Sequence, residues 1–225
     1  FGSDREGGGI FVMGATGESP RKIANEGAHP AWSPDGTKLV YTTERVPNPF
    51  ARNTSASLYV VDVASGEKKK IYEGDAVQPS WSPGGRRIAF WGLRADSGQR
   101  DLWTIPAEGA GEPVPVEVTS DPAVDWNPVW SPDGRTLFFA SVRGGSMNLW
   151  RVAIDEASGR PRGEPRPLTT PSRMSGSISL SRDGRQLMFV SSDQRSTIQR
   201  FGFDPATGRA TAPPRPVFQG SRVIY

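Results

Sequence analysis

Residues 32–36 read Trp-Ser-Pro-Asp-Gly, and related stretches occur three more times in this chain of 225 residues. The other copies are Trp81–Gly85, Trp130–Gly134 and the more divergent Leu180–Gly184. Their first residues are separated by 49, 49 and 50 positions. Self-similarity at one fixed period of this size is the signature of a repeat architecture. The sequence therefore predicts a chain built from stacked units of nearly equal length.

The repeated stretch has the composition of a tight turn between two strands. Proline sets φ at the second turn position, aspartate accepts hydrogen bonds from the nearby backbone, and glycine tolerates a positive φ. Apolar residues alternate on both sides of each copy, which is typical of a β-hairpin. Gly84 replaces the aspartate in the second copy, and Arg182 replaces the proline in the fourth. Since the pattern survives both changes, we interpret Asp35 and its equivalents as turn formers rather than catalytic groups.

Each repeat contains four strand-like segments, of which the third is aromatic and the fourth is often interrupted by proline. Proline confines a strand to a sheet edge, which fits the outermost strand of a propeller blade. We predict an all-β chain, a β-propeller of four-stranded antiparallel blades with about five blades present. A larger ring is favoured over a nearly complete five-bladed ring. The boundaries predicted for this single propeller segment are a partial blade at 1–27 and repeats at about 28–75, 76–124, 125–174 and 175–225.

The composition argues against several classes of site and partner. The chain has no cysteine, so neither a disulfide nor a thiolate site is expected. The net charge is +3, and the one basic run, Lys68–Lys70, is interpreted as a solvated strand face. No nucleic-acid partner is therefore predicted. No stretch reaches the roughly 18 apolar residues of a membrane span, and no signal peptide is recognisable.

Catalytic and metal-binding patterns are missing from the sequence. His29 is the one histidine, and no Gly-x-Ser-x-Gly motif accompanies it. A metal site needs several clustered ligands, so no metal and no cofactor are predicted. We therefore predict that the chain itself is not an enzyme. The sequence leaves open whether its parent protein carries an enzyme domain.

The best-argued candidate site lies three residues before each turn. His29, Gln78, Asn127 and Ser177 occupy this equivalent position, and all four are polar. The first strand of a propeller blade lines the central channel, so these side chains are predicted to meet at the channel mouth. Convergent donors and acceptors there suit a peptide or a small polar ligand. The alternative is that they only cap strand ends or hold water.

Aromatic residues divide into those that recur from repeat to repeat and those that do not. The recurring tryptophans of the first strand are predicted to pack between neighbouring blades: Trp32, Trp81 and Trp130. Trp91 and Trp126 do not recur, and we treat both as candidate surface anchors for a partner.

One loop is much longer than its counterparts. Residues 42–57 separate the second and third strands of the first full repeat, and Phe50 within them is a further candidate anchor. Long loops on a rigid scaffold often carry recognition. A tolerated surface insertion is the alternative interpretation.

The repeat resembles the TolB-type β-propeller repeat, also called the WD40-like or PD40-type repeat. The resemblance rests on Trp-Ser-Pro-Asp-Gly, a strand ending near Ser-Asp-Arg, an aromatic strand and a Gly-Glu turn, and it covers essentially the whole chain. It implies four-stranded blades around a central channel. Functions in the family vary, because TolB is a periplasmic partner of envelope proteins whereas similar propellers gate peptidases or accompany bacterial kinases and regulators. A shared fold does not choose among these roles.

The leading hypothesis is a non-catalytic binding module that takes a protein or peptide partner through its loop face and channel mouth. One alternative is the substrate-gating propeller of a prolyl-oligopeptidase-type serine peptidase. Another is the sensor or scaffold region of a bacterial kinase or regulator. The resemblance implies a periplasmic or other extracytoplasmic location. An open ring would expose a blade face and a strand edge, so self-association is also predicted.

Overall fold

The computed structural model describes residues 1–46, 49–52, 54–108, 113–169, 174–192 and 196–220. Regular structure in these residues is almost entirely β-strand, apart from short 3-10 helices at Arg5–Gly7 and Pro49–Ala51. The chain separates into two compact units, Phe1–Val190 and Ser191–Tyr225. Three consecutive four-stranded antiparallel sheets confirm the predicted all-β propeller architecture.

The N-terminal sheet of the first unit has three strands. They pair in chain order, and they are β1 (Gly2–Ser3), β2 (Gly9–Val12) and β3 (Arg21–Ala24). This sheet is therefore one strand short of the sheets that follow it among the described residues.

The next three repeats each form a four-stranded sheet whose strands also pair in chain order. The first full sheet consists of β4 (Ala28–Trp32), β5 (Lys38–Thr42), β6 (Leu58–Asp62) and β7 (Lys68–Tyr72). The second consists of β8 (Val77–Trp81), β9 (Arg87–Leu93), β10 (Arg100–Pro106) and β11 (Val116–Glu117). The third consists of β12 (Asp125–Trp130), β13 (Thr136–Ser141), β14 (Asn148–Ala153) and β15 (Arg166–Pro167). The fourth strand of each lies at the sheet edge, as the prolines in or beside β11 and β15 require.

The last repeat is distributed over both units. Strands β16 (Met174–Leu180) and β17 (Leu187–Ser192) pair with each other. In the second unit, β18 (Ser196–Arg200) pairs with β21 (Arg215–Gly220), and β19 (Phe203–Asp204) pairs with β20 (Arg209–Ala210). The end of the chain, residues 221–225, lies outside the described residues.

The apolar core of the first unit lies between neighbouring sheets. One cluster joins Ile10 of the N-terminal sheet to Tyr41 of the first full sheet. A second joins Val40 of the first full sheet to Ile88 of the second, and a third contains Trp91 of the second sheet and Phe139 of the third. Each sheet therefore buries its faces against its neighbours, as blades of a propeller do.

The turns have the hydrogen bonds that their sequence predicts. The Ser33 hydroxyl donates to Asp35 Oδ1 at 2.6 Å, and the Thr37 N–H donates to the same oxygen at 3.1 Å. Gly36 follows with a φ of 72°. Equivalent serine–aspartate bonds occur in the third and fourth copies. The interpretation of these aspartates as turn formers is confirmed.

The recurring tryptophans do not all have the predicted environment. Trp81 and Trp130 are buried, and the Trp81 indole donates to the Ala31 carbonyl of the preceding sheet at 3.2 Å. Trp32, however, is 50% exposed, so the prediction is wrong for this residue. The reason is the three-stranded N-terminal sheet, which offers no inner strand to cover the Trp32 ring within the described residues.

Candidate binding cavity at the inner strands

Four residues at one equivalent position share an unusual backbone conformation. The φ angles of His29, Gln78, Asn127 and Ser177 are 51°, 50°, 54° and 50°. Each residue lies in the first strand of its repeat. A positive φ is uncommon for residues other than glycine. Its recurrence in four consecutive repeats marks a built feature of the inner strands.

A β-bulge accompanies this conformation. Between Ala28 and Ala31, β4 advances three residues while its partner β5 advances two, from Thr42 to Val40. The same one-residue excess occurs in β8 against β9 and in β12 against β13. A bulge removes one residue from the pairing ladder and re-aims its side chain. The polar residues at these positions are thereby freed from the strand register.

The left-handed residues of all four inner strands, His29, Gln78, Asn127 and Ser177, line one cavity of about 670 Å³. Strands β4, β8, β12 and β16 contact one another in that order, which brings the four positions together. The remaining lining is mixed, with Arg45 as its charged residue and with serines, three prolines and small apolar groups. Each proline directly follows a bulged residue in the sequence: Pro30, Pro79 and Pro128.

His29 is held by the long insertion. Its Nε2 accepts a hydrogen bond from the Val46 N–H at 3.0 Å. The backbone N–H can only donate, so Nε2 is unprotonated and the neutral imidazole has its proton on Nδ1. Burial lowers the pKa of His29 below its ordinary value, and the charge of Arg45 lowers it further, while Glu44 opposes the shift.

Gln78 connects the cavity to the core of the second sheet. Its Oε1 accepts a hydrogen bond from the Trp91 indole N–H at 2.7 Å. The guanidinium carbon of Arg52 lies 5.3 Å from the centroid of the Trp91 ring. Trp91 is thus held between a residue of the insertion and a residue of the cavity wall.

Asn127 connects two inner strands. Its Oδ1 accepts a hydrogen bond from the Ile178 N–H of β16 at 2.5 Å. Ser177, the residue before Ile178, is exposed in the cavity lining. The bond therefore fixes the position of Ser177 relative to the bulge at Asn127.

The long insertion is anchored to the first unit by an almost fully buried ion pair. The Arg52 side chain is 1% exposed and pairs with both carboxylate oxygens of Asp75. Asp75 also accepts the Ala56 and Leu93 N–H groups at 2.8 and 2.5 Å. Arg100 donates to the Pro49 carbonyl at 2.6 Å. Residues 47, 48 and 53 of the insertion lie outside the described residues.

The three candidate anchors differ in location. Trp91 is fully buried in β9, so the expectation of an exposed surface anchor is wrong for this ring, because its indole N–H bonds inward to Gln78. Trp126 is 5% exposed and lies in β12, so the expectation of an exposed anchor is wrong for this ring too. It lies in the cavity wall, where it packs against Gly176 too closely for a Cβ at that position. Phe50 is 39% exposed on the insertion.

Two further acidic residues are buried outside the cavity. Burial raises the pKa of Asp101 to about 6 although Arg94 lies 3.0 Å away. Burial likewise raises the pKa of Asp125 to about 6 against the opposing charge of Arg143 at 2.7 Å. The same arginines cover Trp103 and Trp150, so each cluster joins strands within one sheet.

Sequence reasoning identified the four left-handed residues by their equivalent spacing but missed Arg45 and Val46. The length of the insertion was the only signal for these two residues, because neither has an equivalent in another repeat. The recurrent proline after three of the left-handed residues was a signal that could have been used.

Neither a metal centre nor a membrane segment is found in the described part of the chain. Residues 1–46, 49–52, 54–108, 113–169, 174–192 and 196–220 contain no group of three His, Cys, Asp or Glu side chains that could hold a metal ion. Over those same residues, no helix has the length and apolarity to cross a bilayer.

Comparison with known proteins agrees with this architecture. A family model described as the TolB beta propeller domain, PD40, matches residues 49–211, well over half of the chain.

Solved structures with the same fold include a TolB and two proteases. TolB from Acinetobacter baumannii has a TM-score of 0.68 at 22% identity, over 92% of this chain and 49% of that one. A puromycin-hydrolyzing peptidase from Mycobacterium tuberculosis has a TM-score of 0.52 at 18% identity, over 86% and 33%. The β-propeller domain of the trilobed protease from Pyrococcus furiosus has a TM-score of 0.50 at 16% identity, over 86% and 57%. The chain thus spans about half the length of the Acinetobacter TolB and a third of the mycobacterial peptidase.

Proposed function

Because this chain belongs to the TolB β-propeller family, we propose that it is a non-catalytic binding module for a protein or peptide partner. The partner binds at the inner-strand cavity and on the adjoining loop face, which includes the insertion. The observation that supports this most is the convergence of four equivalent left-handed residues on one cavity. A volume of about 670 Å³ is within the range of pockets that hold small ligands or peptide side chains.

The chemistry of the lining suits a peptide. Polar groups at the bulges can bond to a peptide backbone or to polar side chains. The proline rings, Val46 and the Trp126 wall offer apolar contact to neighbouring groups. Sites of this mixed kind combine apolar area with a few placed polar groups that fix orientation.

A direct test blocks the cavity without touching the bulges. Ser179 is exposed, lies in β16 and lines the cavity, so Ser179→Trp would fill it. Val114→Trp places the same ring on an exposed position outside the cavity and is the matched control. Peptides selected by display on the immobilised protein are expected to bind the control normally and the blocked variant at least about tenfold more weakly.

Two results would contradict the proposal. Selected peptides that bind the Ser179→Trp variant as well as the unmodified protein would remove the cavity from the binding surface. Hydrolysis of those peptides, lost in His29→Ala, would contradict a non-catalytic role.

Two alternative roles remain as proposals about the parent protein. The likeness to two protease structures in fold makes the gating propeller of a prolyl-oligopeptidase-type peptidase the first alternative. A sensor or scaffold role in a bacterial kinase or regulator is the second. A domain with a nucleophile elbow in the same polypeptide would favour the first, and a kinase or DNA-binding domain would favour the second.

We also propose a periplasmic or other extracytoplasmic location, which rests on the family membership. Fractionation of cells that express the whole parent protein tests it directly. Recovery of the protein in the cytoplasmic fraction would overturn this location.

A further inference from the structure

The bulged side chains of His29, Gln78 and Asn127 each accept one hydrogen bond from the residues around the cavity, which we call the framework. Val46 N–H donates to His29 Nε2, Trp91 Nε1–H donates to Gln78 Oε1, and Ile178 N–H donates to Asn127 Oδ1. In all three bonds the framework is the donor and the bulged side chain is the acceptor.

These bonds fix the orientation of the three side chains. A backbone or indole N–H has no lone pair, so the atom that faces it must be an acceptor. The amide oxygens of Gln78 and Asn127 and the bare nitrogen of His29 are therefore turned toward the framework. The atoms that do not face the framework are hydrogen-bond donors. They are the Gln78 and Asn127 amide nitrogens and the His29 Nδ1. No hydrogen bond joins any of the three to another described residue.

The charged side chain of the cavity is positive, so like the three donors it favours an electron-rich ligand group. Arg45 is exposed, lines the cavity and makes no hydrogen bond or ion pair with any described residue. The described lining contains no aspartate or glutamate. The nearby Glu44 is bonded to Arg52 at 2.8 Å and to Thr54 at 2.6 Å. Nothing acidic in the described lining therefore competes for the Arg45 guanidinium.

We propose that this cavity binds a carboxylate group of the peptide partner, with Arg45 as the charge partner and with His29, Gln78 and Asn127 as neutral donors. This inference rests on the proposed function and specifies its ligand. An ionised carboxylate has two oxygens that only accept hydrogen bonds, so it complements a set of donors. Hydrogen bonds from donors to an ionised acceptor are roughly twice as strong as neutral ones.

Other ligand chemistries fit less well. A cationic group would be repelled by Arg45, and the acceptor atom of each of the three bulged side chains already accepts one hydrogen bond. A neutral backbone carbonyl could take one of the donors but would leave the arginine charge without a partner. An anionic acceptor satisfies both requirements.

The experiment uses 15N-labelled protein and three pools of short random N-acetylated peptides without other acidic residues. The first pool ends in a free carboxylate, the second in an amide, and the third in an amide with one internal aspartate. The side-chain NH2 resonances of Gln78 and Asn127 report binding at the cavity. We expect both carboxylate-bearing pools to shift them and the amide pool to bind at least about tenfold more weakly. The first and third pools separate a terminal carboxylate from a side-chain one.

Two isosteric variants test the assignment of donors. Gln78→Glu keeps an oxygen for the Trp91 indole but replaces the NH2 group by a carboxylate oxygen. Arg45→Gln removes the charge from an exposed side chain. We expect each to weaken binding of the carboxylate pools at least about tenfold. Gln186→Glu and Arg86→Gln make the same changes at exposed positions outside the cavity and should leave binding unchanged.

The possible outcomes separate this inference from the proposed function. Binding of the amide pool as tight as that of the carboxylate pools, or unchanged binding in Gln78→Glu, would overturn the carboxylate assignment and leave peptide binding intact. If no pool shifts the cavity resonances but sodium acetate does, the carboxylate site is supported and the peptide function fails. If inorganic phosphate binds more tightly than every peptide pool, the assignment to carboxylate is wrong. Retention of the Trp91 indole N–H resonance shows that the variant is folded.

Discussion

At the residue scale, a carboxylate of one repeat bonds to the turn of a neighbouring repeat that lacks its own aspartate. Three of the four turns have an aspartate, but the second has Gly84. Glu156 of the third sheet's loop accepts the Gly84 N–H at 2.7 Å across a separation of 72 residues. A Cβ at Gly84 would lie 2.5 Å from Glu156 Oε1, so a side chain at position 84 would displace the Glu156 carboxylate.

The contact between Gly84 and Glu156 predicts that substitutions at the two positions have coupled effects on stability. Glu156→Ala should lower the free energy of unfolding by about 1 kcal/mol, because it removes an acceptor from the Gly84 N–H. Gly84→Asp should destabilise the unmodified chain, through contact and like charge, and should be neutral or stabilising beside Glu156→Ala. Urea denaturation of the four proteins gives the coupling free energy. Additive effects would show that positions 84 and 156 are not coupled.

His29 predicts a pH dependence at the same scale. Its pKa lies below 6.5 in the folded chain, so the unfolded chain binds more protons as the pH falls through 6.5. Stability rises with pH wherever the unfolded state binds more protons, so this contribution is complete above 6.5 and is lost in more acidic solution.

The one histidine of the chain makes this titration easy to read. Its ring proton resonance should titrate below 6.5, and His29→Asn should remove its part of the stability loss between neutral and acidic pH. A His29 pKa at or above 6.5 would contradict the assignment of Nε2 as acceptor from Val46.

At the scale of elements, the long insertion is a packed part of the first unit. Arg52 stacks on Trp91 and pairs with Asp75, while Val46 bonds to His29. Arg52→Ala should lower the free energy of unfolding by about 3 kcal/mol, because it leaves the Asp75 carboxylate buried without its partner. Urea denaturation measures the loss, and limited proteolysis should show cleavage within residues 42–57. Arg86→Ala, at an exposed position, should change stability by less than about 0.5 kcal/mol. An unchanged urea midpoint for Arg52→Ala would refute the anchoring role.

The elements differ in how far the sequence could predict them. The repeated turn and the alternation around it indicated the sheets, because these features depend on residues that are close in the chain. The position of His29 and its equivalents also followed from spacing. The burial of Trp91 did not, because it depends on Gln78 and on Arg52 of another loop. The role of Glu156 depends on a contact across two repeats, and no local pattern indicates it.

At the scale of the whole molecule, apolar exposure is concentrated in particular regions. In the second unit, five large apolar side chains are between 47% and 60% exposed: Ile198, Phe201, Phe203, Val217 and Phe218. Its strands β18 and β21 pair only with each other among the described residues, so both have an open edge. Open apolar edges favour pairing with another chain.

We therefore expect the isolated chain to self-associate as its concentration rises. Sedimentation velocity should show a concentration-dependent increase in mass, and Phe203→Ser should reduce it. Val114→Ser, at an isolated exposed position, should not. A monomer at every concentration would argue against an open edge in solution.

The bulged inner strands have a consequence for how the cavity can change over evolution. A left-handed backbone admits glycine readily, accommodates asparagine, aspartate and histidine more easily than most residues, and strains β-branched ones. The backbone conformation at the four positions therefore restricts which amino acids fit there, and it favours small polar ones irrespective of the partner. Since His29, Gln78 and Asn127 lie outside the pairing ladder, each can be exchanged without changing which strands pair. A new binding specificity can therefore arise by substitution at these positions while the fold stays the same.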